Sequence, residues 1–358
     1  MTEPTPLPAA ARDAILDWYA HAGRRLPFRA TTDPYAILVS EAMAQQTQAA
    51  RAGEAWTRFM DAFPTVESLA SATPADVLRA WQGLGYNRRA LSLWQAARTI
   101  VEVHGGRVPA DLDALRSLPG VGPYTARAVG AIAFGMAVGA VDTNVRRVIG
   151  RILEGDPARL DAASLQAKAD AAVPPDRPAD WTHAVMDLGA MVCTPRRPDC
   201  AACPVRDWCC YAARTSEAAV LPAVQPATQA ASRAATQRAT QPASRAAMQR
   251  ATQPAGRAAM ERASSLLVDA FELHQRGGHF AVGPKSLPFP STSRWLRGRI
   301  VDRLRAVQGD GWSVIEAPIG VHDTDAVRST LDGLAREGLV ELGGTTATGG
   351  RRARLPLG

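Results

Sequence analysis

Lysine is almost missing from this chain. Of its 41 basic residues only Lys168 and Lys285 are lysines, so the 358-residue sequence owes its formal charge of +7 to arginine. Chemistry that needs a lysine amine, a Schiff base above all, has no residue to use before position 168. Long apolar runs are missing too. No stretch approaches the roughly 18 consecutive apolar residues of a membrane span, and no basic region followed by an apolar one opens the chain. No membrane association and a cytoplasmic location are the expectations. Cysteine is scarce and confined: all five lie between Cys193 and Cys210, whereas a secreted disulfide framework would spread them. Before residue 215 the alternation of β-branched and aromatic residues that marks strands is nearly absent, which excludes a β-sandwich or barrel there.

What is present points to a globular, mainly α chain of two or three domains. Hydrophobic residues make up 46% and charged residues 21%, enough to bury a sizeable core. Over 8–215, apolar residues recur at three- and four-residue spacing in the stretches 11–22, 37–63, 74–84, 88–104, 124–134 and 143–153. Breakers separate them at Phe63-Pro64, Gly83 to Gly85, Gly105-Gly106 and Pro119-Gly120. Residues 1–215 read as one helical region. Composition then shifts. A 12-residue pattern repeats at 226–237, 238–249 and 250–261 with no large apolar side chain except an occasional Met. Such a repeat cannot offset its ordering entropy, so 216–288 reads as a low-complexity, flexible Ala/Gln/Arg-rich linker. Residues 289–358 regain pattern, with helices over 293–307 and 323–336 and short strands over 338–342 and 351–355. They suggest a small winged-helix-like α+β module. An arginine-rich surface suits phosphate, which makes nucleic acid the first partner to consider.

Cys193, Cys200, Cys203 and Cys209 are spaced C-x6-C-x2-C-x5-C. Four thiolates this close suit an iron–sulfur cluster or zinc. Zinc sites usually pair two C-x2-C knuckles, and only one occurs here, so the spacing leans toward iron–sulfur. Cys210 is left over. Upstream, Leu118, Pro119, Gly120, Val121 and Gly122 form an LPGVG turn between two short helical segments. Its glycines allow a sharp turn and close backbone approach, and amides at the start of the next helix favour an anion. A helix-hairpin-helix of this kind holds a DNA phosphate without reading sequence. Asp142 follows Gly122 by 20 residues, at the start of a further helix.

The segments LPGVGPYTARAV, VDTNVRRV, VSEAMAQQTQ and GLGYNRRA, with MDLGAMVC opening the cysteine cluster, resemble the endonuclease III superfamily of helix-hairpin-helix DNA glycosylases. The MutY-type adenine DNA glycosylases are the nearest match, over about 10–212. The resemblance implies a two-lobed all-α fold with double-stranded DNA in its cleft. It also implies a [4Fe–4S] cluster on the four cysteines, a monomer, and removal of adenine mispaired with 8-oxoguanine or guanine. It makes Glu41 the general acid that protonates adenine, a role suited to a carboxyl kept neutral by desolvation. Asp142 becomes the second catalytic carboxylate, which stabilises a cationic sugar and also caps a helix. Asn144 orients the reacting groups. Tyr124 stands where bifunctional relatives carry lysine, so a monofunctional glycosylase is expected.

Tyr86 matches an aromatic wedge, and Gln45 and Gln46 match residues facing the lesion pair. Arg29 matches a pocket residue near adenine. Gly120, Val121 and Gly122 hold DNA backbone, and Arg88, Arg89, Arg146 and Arg147 are expected phosphate contacts. Three departures stand out: Asn87 replaces a second tyrosine, Phe28 replaces a tryptophan, and the pattern of a C-terminal Nudix-like domain is absent. Two rival readings remain at this point, a damaged-pyrimidine glycosylase of the endonuclease III type and a non-catalytic DNA-binding protein.

Overall fold

The computed structural model describes residues 7–220, 288–307 and 309–358. The linker expected over 216–288 lies, from 221 to 287, outside the described residues. Residues up to Thr215 and those from Pro288 onward belong to one compact unit; the other unit, Ser216–Lys285, is described only where it continues a helix to Val220.

Helices dominate, and their ends are chemically marked. In chain order they are α1 (Ala9–Ala22), α2 (Pro34–Ala44), α3 (Ala49–Ala62), α4 (Val66–Ser71), α5 (Pro74–Ala80), α6 (Arg88–His104) and α7 (Leu112–Ser117). There follow α8 (Pro123–Phe134), α9 (Thr143–Glu154), α10 (Ala162–Ala172), α11 (Pro178–Met191) and α12 (Cys210–Val220). Side chains of Asp33, Thr73, Asp111, Asp142 and Asp161 accept hydrogen bonds from the first turns of the helices they open. Gly105, Gly135 and Gly155 close α6, α8 and α9 in left-handed conformation. The stretch 37–63, which periodicity alone joins, is broken between Ala44 and Ala49, where Gln46 adopts φ 53.

Two apolar interiors form. One gathers Ile37, Leu38, Phe59, Trp81 and Ile100 among α2 to α8. The other gathers Ile15, Leu16, Ile149, Trp181 and Leu188 from α1, α9 and α11. Helix α8 packs on α2 and also on α11, so it joins the two lobes.

The C-terminal module contains α13 (Ser293–Arg305), β1 (Ser313–Ile315), α14 (Thr324–Arg336), β2 (Glu341–Thr345) and β3 (Arg351–Arg354). Its antiparallel sheet has the order β1-β3-β2, with Ser313 and Leu342 both opposite Ala353. The strand expected over 338–342 starts later, at Glu341. Gly338 turns at φ 70, and Leu339 and Val340 then bury in the core. β1 was not foreseen, because three residues are too few to show alternation. The interior of the module, including Leu296, Ile300 and Leu331, is continuous with that of α2 to α8. Among the described residues no helix is long and apolar enough to cross a membrane.

Candidate active site

Helix α2 starts with Asp33 accepting from the amides of Tyr35 and Ala36, and with Pro34 at its first position. It lies in the interior, and that placement carries Glu41 with it. Glu41 is only 9% exposed. Burial, with a smaller push from the negative charge of Asp142, raises its carboxyl from an ordinary 4.5 to about 7. The hydroxyl of Tyr124, near the start of α8, hydrogen-bonds Glu41 and pulls the other way, as does the charge of Arg29. Tyr124 itself is pushed well above the usual phenol range, first by burial and then by the charges of Glu41 and Asp142. Its hydroxyl also lies 3.8 Å from the sulfur of Met186 on α11. Carboxyls from the two lobes thus lie near enough for the charge of Asp142 to act on Glu41, and burial poises Glu41 to hold a proton near neutrality.

Asp142 caps α9, its Oδ1 accepting from the Val145 amide at 2.7 Å. Its Oδ2 accepts from Asn144 Nδ2 at 2.8 Å, which fixes the plane of the carboxylate. Asn144 Oδ1 in turn accepts from Arg147 Nη2 at 2.8 Å. Arg147 also donates to the carbonyls of Gly189 (2.7 Å) and Cys193 (2.6 Å). A chain of hydrogen bonds therefore runs from Asp142 to the backbone of the first cysteine of the cluster. Arg147, expected to meet phosphate, thus donates to protein acceptors in this structure.

Arg89 also has protein partners. Its Nη1 donates to the carbonyls of Ala42 and Gln45, and it lies over the rings of Trp81 and Tyr86, so it clamps α2 to the Tyr86 loop. Arg146 donates to the carbonyl of Leu160. Arg88 remains exposed.

Arg29 sits beside Glu41, but its hydrogen bonds are taken by a residue the sequence reading passed over. Nη1 and Nη2 bond Asp187 at 2.7 and 2.8 Å, and Arg24 bonds the same carboxylate. Asp187 is fully buried, and these arginines hold its carboxyl below the ordinary range against the opposing effect of burial. A signal was available: Asp187 is an acid in the middle of the apolar run AVMDLGAM of α11.

Four of the expected DNA contacts share a concavity. Gln45, Arg88, Gly120, Val121 and Thr125 line one concavity, and Gln45 Nε2 reaches Thr125 Oγ1 at 3.5 Å. The hairpin between α7 and α8 needs glycine at Gly120, where φ is 79 and a β-carbon would come within 2.7 Å of Ser92 Cβ. Gly122 differs from expectation. Its φ is −87 and an added β-carbon meets nothing within 4 Å, so no protein neighbour demands glycine there. Gln46 and Tyr86, at φ 53 and 45, are the non-glycine residues with positive φ among the described residues. Gln46 is expected to face the lesion pair and Tyr86 to wedge into the stack, and strain of this kind persists only where its surroundings hold it.

All four expected cysteine ligands line one cavity between α9, α11 and the loop that follows. Among the described residues no three Cys, His, Asp or Glu side chains converge as a single metal ion requires. Four thiols around a shared space suit an iron–sulfur cluster, and the lone C-x2-C pair weighs against zinc. Burial pushes the Cys203 thiol up to about 11, so bound iron would supply the positive charge its thiolate needs. Arg151 Nη1 lies 3.3 Å from Cys193 Sγ and complements that charge further. Cys210 is exposed, its thiol 3.5 Å from the Leu153 carbonyl.

Comparison with known proteins agrees with this geometry. Residues 39–168 match the HhH-GPD superfamily base excision DNA repair protein family, and residues 193–209 match the iron–sulfur binding domain of endonuclease III. The chain is 43% identical over 212 residues to the adenine DNA glycosylase of Homo sapiens, covering 56% of this chain and 39% of that one. It is 45% identical over 204 residues to the adenine DNA glycosylase of Mycobacterium tuberculosis H37Rv, covering 55% and 66%. A thymine/uracil-DNA glycosylase of Methanothermobacter thermautotrophicus is 33% identical over 200 residues, covering 55% and 90%. A solved thermostable thymine-DNA glycosylase aligns with TM-score 0.54 at 32% identity, over 57% of this chain and 95% of that one. The chain thus spans 39% of the human and 66% of the mycobacterial adenine DNA glycosylase.

Proposed function

Because the chain belongs to the HhH-GPD superfamily of base excision DNA repair proteins, we propose that it is a monofunctional adenine DNA glycosylase acting on adenine mispaired with 8-oxoguanine or guanine in double-stranded DNA. The observation that carries this reading is a buried Glu41 held near neutrality beside Asp142. Glu41 donates its proton to a ring nitrogen of the extruded adenine. The C1′–N9 bond then breaks, and its electron pair leaves with a neutral base. The carboxylate of Asp142, fixed by Asn144 and by the first turn of α9, stabilises the positive charge that grows on the sugar. Glu41, now a carboxylate, accepts a proton from the water that attacks C1′. Tyr124 bonds Glu41 and offers no amine, so the reaction ends at hydrolysis.

Single-turnover base release separates this reading from its relatives. Adenine is expected to leave duplexes in which it faces 8-oxoguanine fastest, then guanine, then cytosine. Excision confined to thymine in T·G pairs or to thymine glycol would transfer the chain to a pyrimidine-specific role.

Cys193, Cys200, Cys203 and Cys209 are assigned as ligands of the [4Fe–4S] cluster, which when bound would cross-link and order the loop from Cys193 to Cys209. Cys200→Ser is expected to lower iron and acid-labile sulfide per chain and to weaken duplex binding. Undiminished iron in anaerobically purified variant protein would remove Cys200 from the ligand set.

A further inference from the structure

Asn87 stands where the resemblance expects a second tyrosine, and it has a partner more than 200 residues away in sequence. Its Oδ1 accepts a hydrogen bond from Nη2 of Arg305, at the end of α13, at 2.7 Å. The same guanidinium donates through Nε to the Leu78 carbonyl (2.8 Å) and through Nη1 to Asp302 (2.9 Å). Only 6% of the Arg305 side chain is exposed. Arg294 precedes Arg305 by about three helical turns, which returns it to the same face of α13. Its guanidinium lies 4.3 Å from the centre of the Tyr86 ring. Arg89 lies 5.6 Å from that ring, so the aromatic group is held by two cations, one from each segment of the chain. Tyr86 remains 43% exposed, and at φ 45 its backbone needs such support.

We propose that α13 is part of the base-extrusion apparatus, with Arg294 and Arg305 as positioning residues that hold the Tyr86–Asn87 loop in the shape that enters the DNA stack. The proposal rests on the glycosylase reading above and adds a role for the C-terminal module. Charge argues against the module reading DNA on its own through α14, the second helix of a winged-helix arrangement. Asp325 and Asp332 balance Arg328 and Arg336 there, and Asp323 caps it, whereas α13 carries five arginines against one aspartate.

The test compares two substrates with full-length, cluster-loaded protein. One is an A·8-oxoguanine duplex, and the other carries the same adenine unpaired in a one-base bulge, which costs less to extrude. Arg294→Ala is expected to slow single-turnover release about tenfold on the mispair but less than about twofold on the bulge. Arg305→Ala should show the same split, and Arg294→Lys, which keeps a cation over the ring, should recover most of the rate. The melting temperature of Arg294→Ala should be unchanged. Equal losses on both substrates, or none on either, overturn the proposal. Hydrogen exchange at residues 84–88 in DNA-free protein decides it independently of activity. Exchange should quicken about tenfold in both alanine variants, and unchanged exchange overturns the buttress. If the unaltered protein releases adenine from neither duplex while exchange responds as expected, the glycosylase reading fails and the buttress stands.

Discussion

Glu41→Gln is expected to abolish base release, with a loss of about 10³-fold or more in single-turnover rate, while duplex binding persists. Glutamine keeps the shape and can accept from Tyr124, but it has no proton to give to adenine and no carboxylate to activate water. A rate within tenfold of the unaltered protein would remove Glu41 from the role of acid. The raised carboxyl also sets the pH profile. The proton-bearing form prevails below about pH 7, so the rate should fall by about tenfold per unit above it. Stability moves in the same direction. The folded-state value of about 7 exceeds the ordinary 4.5, so this contribution to stability is fully present below pH 4.5 and lost as pH rises through 7. At pH 8 an ionised, buried Glu41 costs on the order of 3 kcal/mol. Glu41→Gln should therefore melt higher than the unaltered protein at pH 8 and nearly level with it at pH 4, in calorimetry at both values. Gain of stability with loss of turnover is the signature of a group placed for chemistry at the expense of the fold.

Asp142→Asn is the second large effect, a fall of about 10²- to 10³-fold in the same assay. The substitution separates two roles that one side chain combines. Asparagine still caps α9 by accepting from the Val145 amide, so the fold should survive; the charge and the bond from Asn144 Nδ2 are lost. Asp142→Ala removes both and should cost about 1 kcal/mol more in stability. If Asp142→Asn and the unaltered protein release adenine at similar rates, the capping role alone explains this residue.

Much of the site was legible in the sequence because its chemistry sits in short, dense segments. The Glu41 segment, the LPGVG turn and the four cysteines announce themselves by residue type and spacing. What spacing cannot give is the partner of a side chain. Arg89 and Arg147 look like free cations in a string of letters, yet one clamps α2 to the Tyr86 loop and the other ties Asn144 to the cysteine loop. Asp187 escaped notice because its importance comes from Arg24 and Arg29, more than 150 residues earlier. The fold shows the same division. Caps and left-handed glycines mark most helix ends, whereas the break after Ala44 has no glycine or proline and shows only as a positive φ at Gln46. Nor could the tail's position be foreseen: its contacts with Leu78 and Asn87 join residues more than 200 positions apart in the sequence.

That shared interior has a consequence for truncation. The C-terminal segment is held where it lies by burial of Leu296 and Ile300 and by the bonds of Arg305. A chain ending before Pro288 would uncover the apolar neighbours of those side chains and leave the Leu78 carbonyl and the Asn87 side-chain oxygen without their donor, so the lobe built from α2 to α8 should be less stable than in the whole chain.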